Sequence, residues 1–165
     1  MNYKLTISYD GTNYSGWQIQ PNSKTIQAII EKSLMKIFSD QNIKVVGSGR
    51  TDAGVHANGQ VANVNIINSS MNENQIKNAI NSYLPKDIFI NDCNLVSDEF
   101  HARFTAIKRE YFYYISKNYH PKDRFYVWNC KWELDFNKLN QCSDLLIGEH
   151  DFSLFSKASS DTKNK

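Results

Sequence analysis

Fourteen residues, Gly47-Ser48-Gly49-Arg50-Thr51-Asp52-Ala53-Gly54-Val55-His56-Ala57-Asn58-Gly59-Gln60, contain four of the seven glycines of the chain. Glycine admits positive φ and lets another backbone or a ligand come close, so the stretch reads as a shaped loop rather than a slack connection. At its centre one guanidinium, Arg50, and one carboxylate, Asp52, are separated by Thr51 alone. A planar guanidinium can grip a phosphate, and a carboxylate held ionised and still can act as a nucleophile. The same three residues also suit a plain Gly-rich turn between two strands, capped by a surface ion pair of little energetic worth.

A second concentration of chemistry lies between His101 and Lys131. Arg103, Lys108, Arg109, Lys117, Lys122, Arg124 and Lys131 stand there against only Glu110 and Asp123, so the segment carries +5 in a chain of net +2. Interleaved with it are Tyr111, Phe112, Tyr113, Tyr114, Phe125, Tyr126 and Trp128. Basic residues mixed with aromatics can meet phosphates and stack bases. The commoner source of such a pattern is a sheet with aromatic pairs and a solvated lysine edge. Arginine is scarce, four of 19 basic residues, yet Arg50, Arg103 and Arg109 all sit in or beside these stretches.

The elements that must position these groups follow from periodicity. Tyr3 to Tyr9 alternates apolar and polar residues and predicts a strand with one buried face, closed by the turn dipeptide Asp10-Gly11. The loop beyond carries Tyr14, Gly16, Trp17 and Gln18, with Trp17 expected over the rim of the core. Ser23 or Thr25 can cap a helix whose apolar face is Ile26, Ile29, Ile30, Leu34, Ile37 and Phe38. Ile43, Val45 and Val46 give a short strand into the Gly47 loop, and Ala62, Val64 and Ile66 mark the strand after it. Asn72 with Gln75 predicts a capping box opening a second helix, which Pro85 stops before a strand at Ile88, Phe89 and Ile90.

The order through about residue 96 is strand, helix, strand, strand, helix, strand. This is an α+β, ferredoxin-like βαββαβ arrangement with an antiparallel sheet and both helices on one face. We divide the chain into residues 1–100, which carry the Asp52 loop, and residues 101–165, the first part of a second similar unit. In that second unit a strand around Tyr111–Ile115 is expected to be covered on both faces. Extended structure over Phe125–Trp132 and a helix from Phe136 to Ile147 with its apolar stripe inward, ended by Gly148, complete the reading.

With 165 residues, 41% of them hydrophobic and 22% charged, the chain is long enough for a real core and is not of disordered composition. No apolar run approaches the roughly 18 residues of a membrane span, and the N-terminus lacks a signal-like segment. Cys93, Cys130 and Cys142 fit neither a disulfide framework nor a zinc set, so buried or partly buried thiols in a reducing, cytoplasmic setting are expected.

Five ordered blocks resemble the tRNA pseudouridine synthase A family: Tyr9-Asp10-Gly11-Thr12 with Gly16-Trp17-Gln18, Gly49 to Ala57, Leu84 to Ile88, Phe100 to Arg103, and Arg109 to Tyr113. The similarity runs in order from about Tyr3 to Phe155. It implies an isomerase that converts uridine to pseudouridine in the anticodon arm of tRNA, at about positions 38 to 40, with no cofactor and no metal. It also implies that Asp52 is the nucleophile and that Arg50 holds the flipped nucleotide and its phosphate. By the same resemblance Tyr111 would stack on the target uracil, with Thr51 and Arg109 expected as further substrate-binding residues. These types suit the task, since a base taken out of its stack needs an aromatic platform and a phosphate anchor, and a guanidinium nearby favours an ionised carboxylate. His56 and His101 are expected to be hydrogen-bonding structural residues.

Family members are longer and have a complete second half, with further strands, a helix and an arginine that pairs with the aspartate; many are homodimers. Relative to that pattern the chain reads as C-terminally truncated. By itself it is expected to self-associate or to be poorly stable, and to lack activity. The competing reading is a non-catalytic RNA-binding module, since ferredoxin-like sheets also carry RNA recognition.

Overall fold

In a computed structural model, which describes residues 1–67 and 69–155, the alternating N-terminal segment forms β1 (Asn2–Tyr9). Its inward set, Tyr3, Leu5, Ile7 and Tyr9, is buried. β1 lies between β3 (Ala57–Asn65) and β4 (Ile88–Val96), antiparallel to both, and β2 (Val45–Gly47) pairs with the far edge of β3. The sheet order is β2-β3-β1-β4. With α1 (Ile26–Phe38) and α2 (Glu73–Tyr83) between the strands, this is the βαββαβ arrangement read from the sequence. Ile30, Leu34, Ile76 and Ile80 of the helices meet the inward face of the sheet in one core. Each such side chain, taken fully out of water, stabilises the fold by about 1.5–3 kcal/mol.

The helix starts differ in origin. Asn72 and Gln75 form the expected capping box on α2, with Gln75 N donating to Asn72 Oδ1 at 2.9 Å and Asn72 N donating to Gln75 Oε1 at 2.9 Å. For α1, Thr25 is the capping residue, but neither it nor Ser23 supplies a side-chain cap. The amides of Ile26 and Gln27 instead donate to the carbonyls of Gly16 and Trp17, at 3.1 Å each. The preceding loop thus satisfies the donors a cap would take, and the buried Thr25 hydroxyl has no partner among the described residues.

α1 in turn fixes β2. The buried Glu31 carboxylate accepts from Val45 N at 2.9 Å and from Gln27 Nε2 at 3.0 Å, while Gln27 Nε2 also donates to Val45 O at 3.0 Å. The loop that β2 leads into is shorter than its glycine content suggested. Ser48 N continues the ladder to Val61 O at 2.7 Å, and β3 already begins at Ala57, so only residues 48–56 are free of the sheet.

Two buried amides pin the segment that follows β4. Asn2 Nδ2 donates to Ser97 O and Phe100 O, at 3.0 and 2.8 Å, and Asn63 Nδ2 donates to Asn2 Oδ1 at 3.1 Å. Asn63 Oδ1 accepts from Ala102 N at 2.9 Å, which completes the network. Replacing Asn63 with alanine strands the Ala102 amide and the Asn2 carbonyl oxygen away from water. We expect a loss of about 1–3 kcal/mol for each group left unpaired, read as a lower urea midpoint with an unchanged slope.

Contacts divide the chain into Met1–Phe112 and Tyr113–Lys165. In the second unit the long strand expected around Tyr111–Ile115 does not form. Only β5 (Ile115–Ser116) is extended, paired in parallel with β6 (Trp128–Asn129), which is all that forms of the expected 125–132 strand. Tyr113 and Tyr114 are exposed rather than covered. α3 (Phe136–Asp144) is capped by Asp135, whose carboxylate accepts from Lys138 N at 3.1 Å, but none of its residues is buried. An apolar stripe turns inward only against a covering layer, and none lies over α3 among the described residues. The cysteines are unbridged, with Cys93 and Cys130 buried and Cys142, against expectation, exposed. Among the described residues no helix is long and apolar enough to cross a membrane. The polar stretch 156–165 lies outside the described residues.

Candidate active site

The loop 48–56 is held at its entry, its middle and its exit. At the entry, Arg109 places two donors on one carbonyl, Nε at 3.0 Å and Nη2 at 2.6 Å from Ser48 O. Gln60 Nε2 donates to Gly49 O at 2.6 Å, and Gln60 Oε1 accepts from Ser48 Oγ at 2.9 Å. In the middle, Thr51 O accepts from Trp17 N at 3.0 Å, and the Thr51 hydroxyl shares a 2.9 Å hydrogen bond with the phenol of Tyr9. At the exit, Gly54 N donates to Tyr14 O at 3.2 Å, and Val55 N closes a turn on Asp52 O at 3.2 Å.

The N-terminal loop is therefore the mould against which the Asp52 loop is cast. Two of its glycines are required by close approach. Gly16 has φ +87°, and a Cβ there would run into the Thr51 carbonyl. A Cβ on Gly11 would run into the Val55 carbonyl. The mould is itself tied down, since Asp10 N donates to Asp87 O at 2.9 Å and Tyr14 Oη donates to Asp87 Oδ1 at 2.6 Å. Burial, reinforced by the Asp87 carboxylate, pushes the Tyr14 phenol up.

His56 occupies the hydrogen-bonding position expected of it. Its Nδ1 lies 3.2 Å from the Gly11 amide and 3.1 Å from Asp10 Oδ1, and one ring nitrogen serves one of them at a time. His101 is likewise engaged locally, with Nδ1 accepting from Arg103 N and Phe104 N at 3.3 Å and its ring stacked on Phe104.

Against this tethered backbone the two charged side chains stand out. Arg50 and Asp52 are exposed, and among the described residues neither makes an ion pair or side-chain hydrogen bond. The ion pair that their spacing allows is not formed. A turn whose charges serve only to cap it has no need of so many tethers, whereas a rigid loop presenting an unpartnered carboxylate and guanidinium is ready for a ligand.

The other sequence candidates divide. Tyr111 is 73% exposed. Thr51 is half-buried and its hydroxyl is taken by Tyr9, so it faces inward. Arg109 spends Nε and Nη2 on the backbone, including Arg103 O at 3.3 Å, and its Nη1 amino group has no partner among the described residues. Sequence reasoning missed the loop contacts of Tyr9 and Trp17. The signal was present in Tyr9-Asp10-Gly11 and Gly16-Trp17, two glycines beside two large aromatics, a pattern that asks what backbone comes close.

A family model described as tRNA pseudouridine synthase matches residues 5–105 of the chain. The chain is 44% identical over 155 residues to tRNA pseudouridine synthase A 1 of Protochlamydia amoebophila, covering 93% of the chain and 60% of that protein. It is 45% identical over 165 residues to tRNA pseudouridine synthase A of Thermosipho africanus, covering 98% of the chain and 66% of that protein. The likeness to the protein of that name from Lactobacillus acidophilus is 39% over 165 residues, covering 99% and 63%. The chain thus spans 60 to 66% of the length of these curated relatives.

Proposed function

We propose, since the chain belongs to the tRNA pseudouridine synthase family, that its Arg50–Asp52 loop is the reaction centre of an isomerase converting uridine to pseudouridine in the anticodon arm of tRNA. The observation that supports this most is the tethered loop that leaves one carboxylate and one guanidinium exposed and unpartnered. The net reaction breaks the C1′–N1 glycosidic bond, forms C1′–C5, and moves the C5 proton to N1, with no change of oxidation state. Asp52 is the nucleophile, Arg50 holds the flipped nucleotide through its phosphate, and the free Nη1 edge of Arg109 offers a second phosphate contact. A nucleobase inside a stacked helix is out of reach of such a loop, so the base must be extruded onto an aromatic face, which Tyr111 provides.

The test is isomerisation of an anticodon stem-loop by a protein of the relatives' full length that carries these residues. Conversion of uridine to pseudouridine supports the reading. Tight RNA binding with no conversion would favour the RNA-binding module instead. Tyr111 allows a finer check. Tyr111→Leu is expected to weaken stem-loop binding by about 1–3 kcal/mol, whereas Tyr111→Phe keeps the ring and binds near wild type. Equal affinity in all three proteins removes Tyr111 from the base platform; normal binding by the Phe variant with failed turnover assigns its hydroxyl to proton transfer.

A further inference from the structure

We propose that Tyr9 is a positioning residue of this site, a buried phenol whose hydroxyl fixes the orientation of the residue between Arg50 and Asp52. The proposal rests on the reading of Asp52 as the reacting group, but its geometry stands apart from that reading. Tyr9 is the last residue of β1, opposite Ala57 on one side and Ile88 on the other, and is 4% exposed. Its ring packs near the buried Trp17, with centroids 6.1 Å apart. Packing of that kind is served equally well by phenylalanine, so the core does not account for the hydroxyl.

A buried phenol needs a hydrogen-bond partner, and among the described residues Tyr9 has one, the Thr51 hydroxyl at 2.9 Å. Thr51 is thereby gripped twice, by its side chain through Tyr9 and by its carbonyl through Trp17 N. A residue fixed at both side chain and backbone cannot rotate, and the residues on either side of it are held in direction as a consequence. Burial raises the Tyr9 phenol above its ordinary value, the bond to Thr51 opposes that, and the charge of Tyr111 adds a smaller rise. One rigid ring at the end of β1 thus references the Asp52 loop to the sheet.

The test compares Tyr9→Phe with wild type by amide hydrogen exchange on the 165-residue chain. The reporters are Gly54 and Val55, whose amides are hydrogen-bonded within the loop contacts. In Tyr9→Phe their exchange is expected to speed up about tenfold, while the ladder amides of β1 and β3 exchange as in wild type. Thr51→Val should reproduce the effect, Thr51→Ser should not, and Tyr9→Phe with Thr51→Val together should be no worse than either alone. In a protein of the relatives' length, kcat should fall about tenfold with KM for the stem-loop unchanged. Loop exchange unchanged in Tyr9→Phe would overturn the proposal, as would faster exchange spread evenly over β1 and β3. If wild type turns over no uridine, the reading of Asp52 fails, and the exchange result still decides the role of Tyr9.

Discussion

Asp52→Asn is expected to abolish uridine isomerisation while leaving tRNA affinity within about twofold of wild type, well under the 1.4 kcal/mol that a tenfold change represents. Asparagine keeps the size and most of the hydrogen-bonding capacity of the side chain but has no anionic oxygen to offer as a nucleophile. The site is exposed and the carboxylate makes no ion pair or side-chain hydrogen bond among the described residues, so the fold should be unaffected, within about 0.5 kcal/mol. The expected loss in single-turnover rate is about a thousandfold or more, equivalent to about 4 kcal/mol of transition-state stabilisation. A protein of the relatives' length carrying the substitution, assayed on an anticodon stem-loop, gives the answer. Turnover within tenfold of wild type would remove Asp52 from the chemistry.

The second large effect is on stability. Gly16→Ala forces an L side chain into φ +87° and drives its Cβ into the Thr51 carbonyl, with Asp52 C and Ala53 N close behind at 3.0 and 3.3 Å. The left-handed conformation alone costs about 1–2 kcal/mol. The clash is with backbone on both sides, so relief requires moving the N-terminal loop off the Asp52 loop and giving up the Trp17 N to Thr51 O bond. We expect a total of about 3–5 kcal/mol, a large fraction of the 5–15 kcal/mol that holds a typical domain together. Gly59→Ala is the control, since its Cβ would meet only Thr6 Cγ2 at an ordinary 3.8 Å. Urea midpoints that fall equally in the two variants would show that the loop-on-mould contact is not what makes Gly16 necessary.

What was legible in the sequence was local. The period-two run from Tyr3 to Tyr9, the helical stripes, the Asn72 and Gln75 box and the stop at Pro85 each lie within a few residues of the structure they specify. The βαββαβ order followed from them. What stayed hidden depends on partners far away along the chain. Tyr9 meets Thr51 across 42 residues, Arg109 meets Ser48 across 61, and Asn63 meets Ala102 across 39. A tyrosine at an inward strand position is already explained by burial, so nothing local announces its hydroxyl. Arg109 illustrates the same limit, because basic residues among aromatics suggest phosphate, yet two of its nitrogens are on a carbonyl. The strand expected at Tyr111–Ile115 failed for a related reason. Alternating aromatics report the wish to be covered, and a strand also needs a partner edge.

The sheet order has a consequence for how the chain is made. β1 is synthesised first but sits in the interior of the sheet, with β3 and β4 as its neighbours. As the polypeptide leaves the ribosome, the apolar row of Leu5 and Ile7 must wait without a pairing partner until residues 57–65 have emerged, and its second edge waits for residues 88–96. Such late, non-local closure is slow and leaves a sticky edge open during translation. The grip on the entry of the Asp52 loop comes later still, because the donors to Ser48 O arrive only with Arg109. The Asp52 loop can therefore meet Tyr9, Tyr14 and Trp17 as soon as it emerges, while its entry at Ser48 waits a further 61 residues for Arg109.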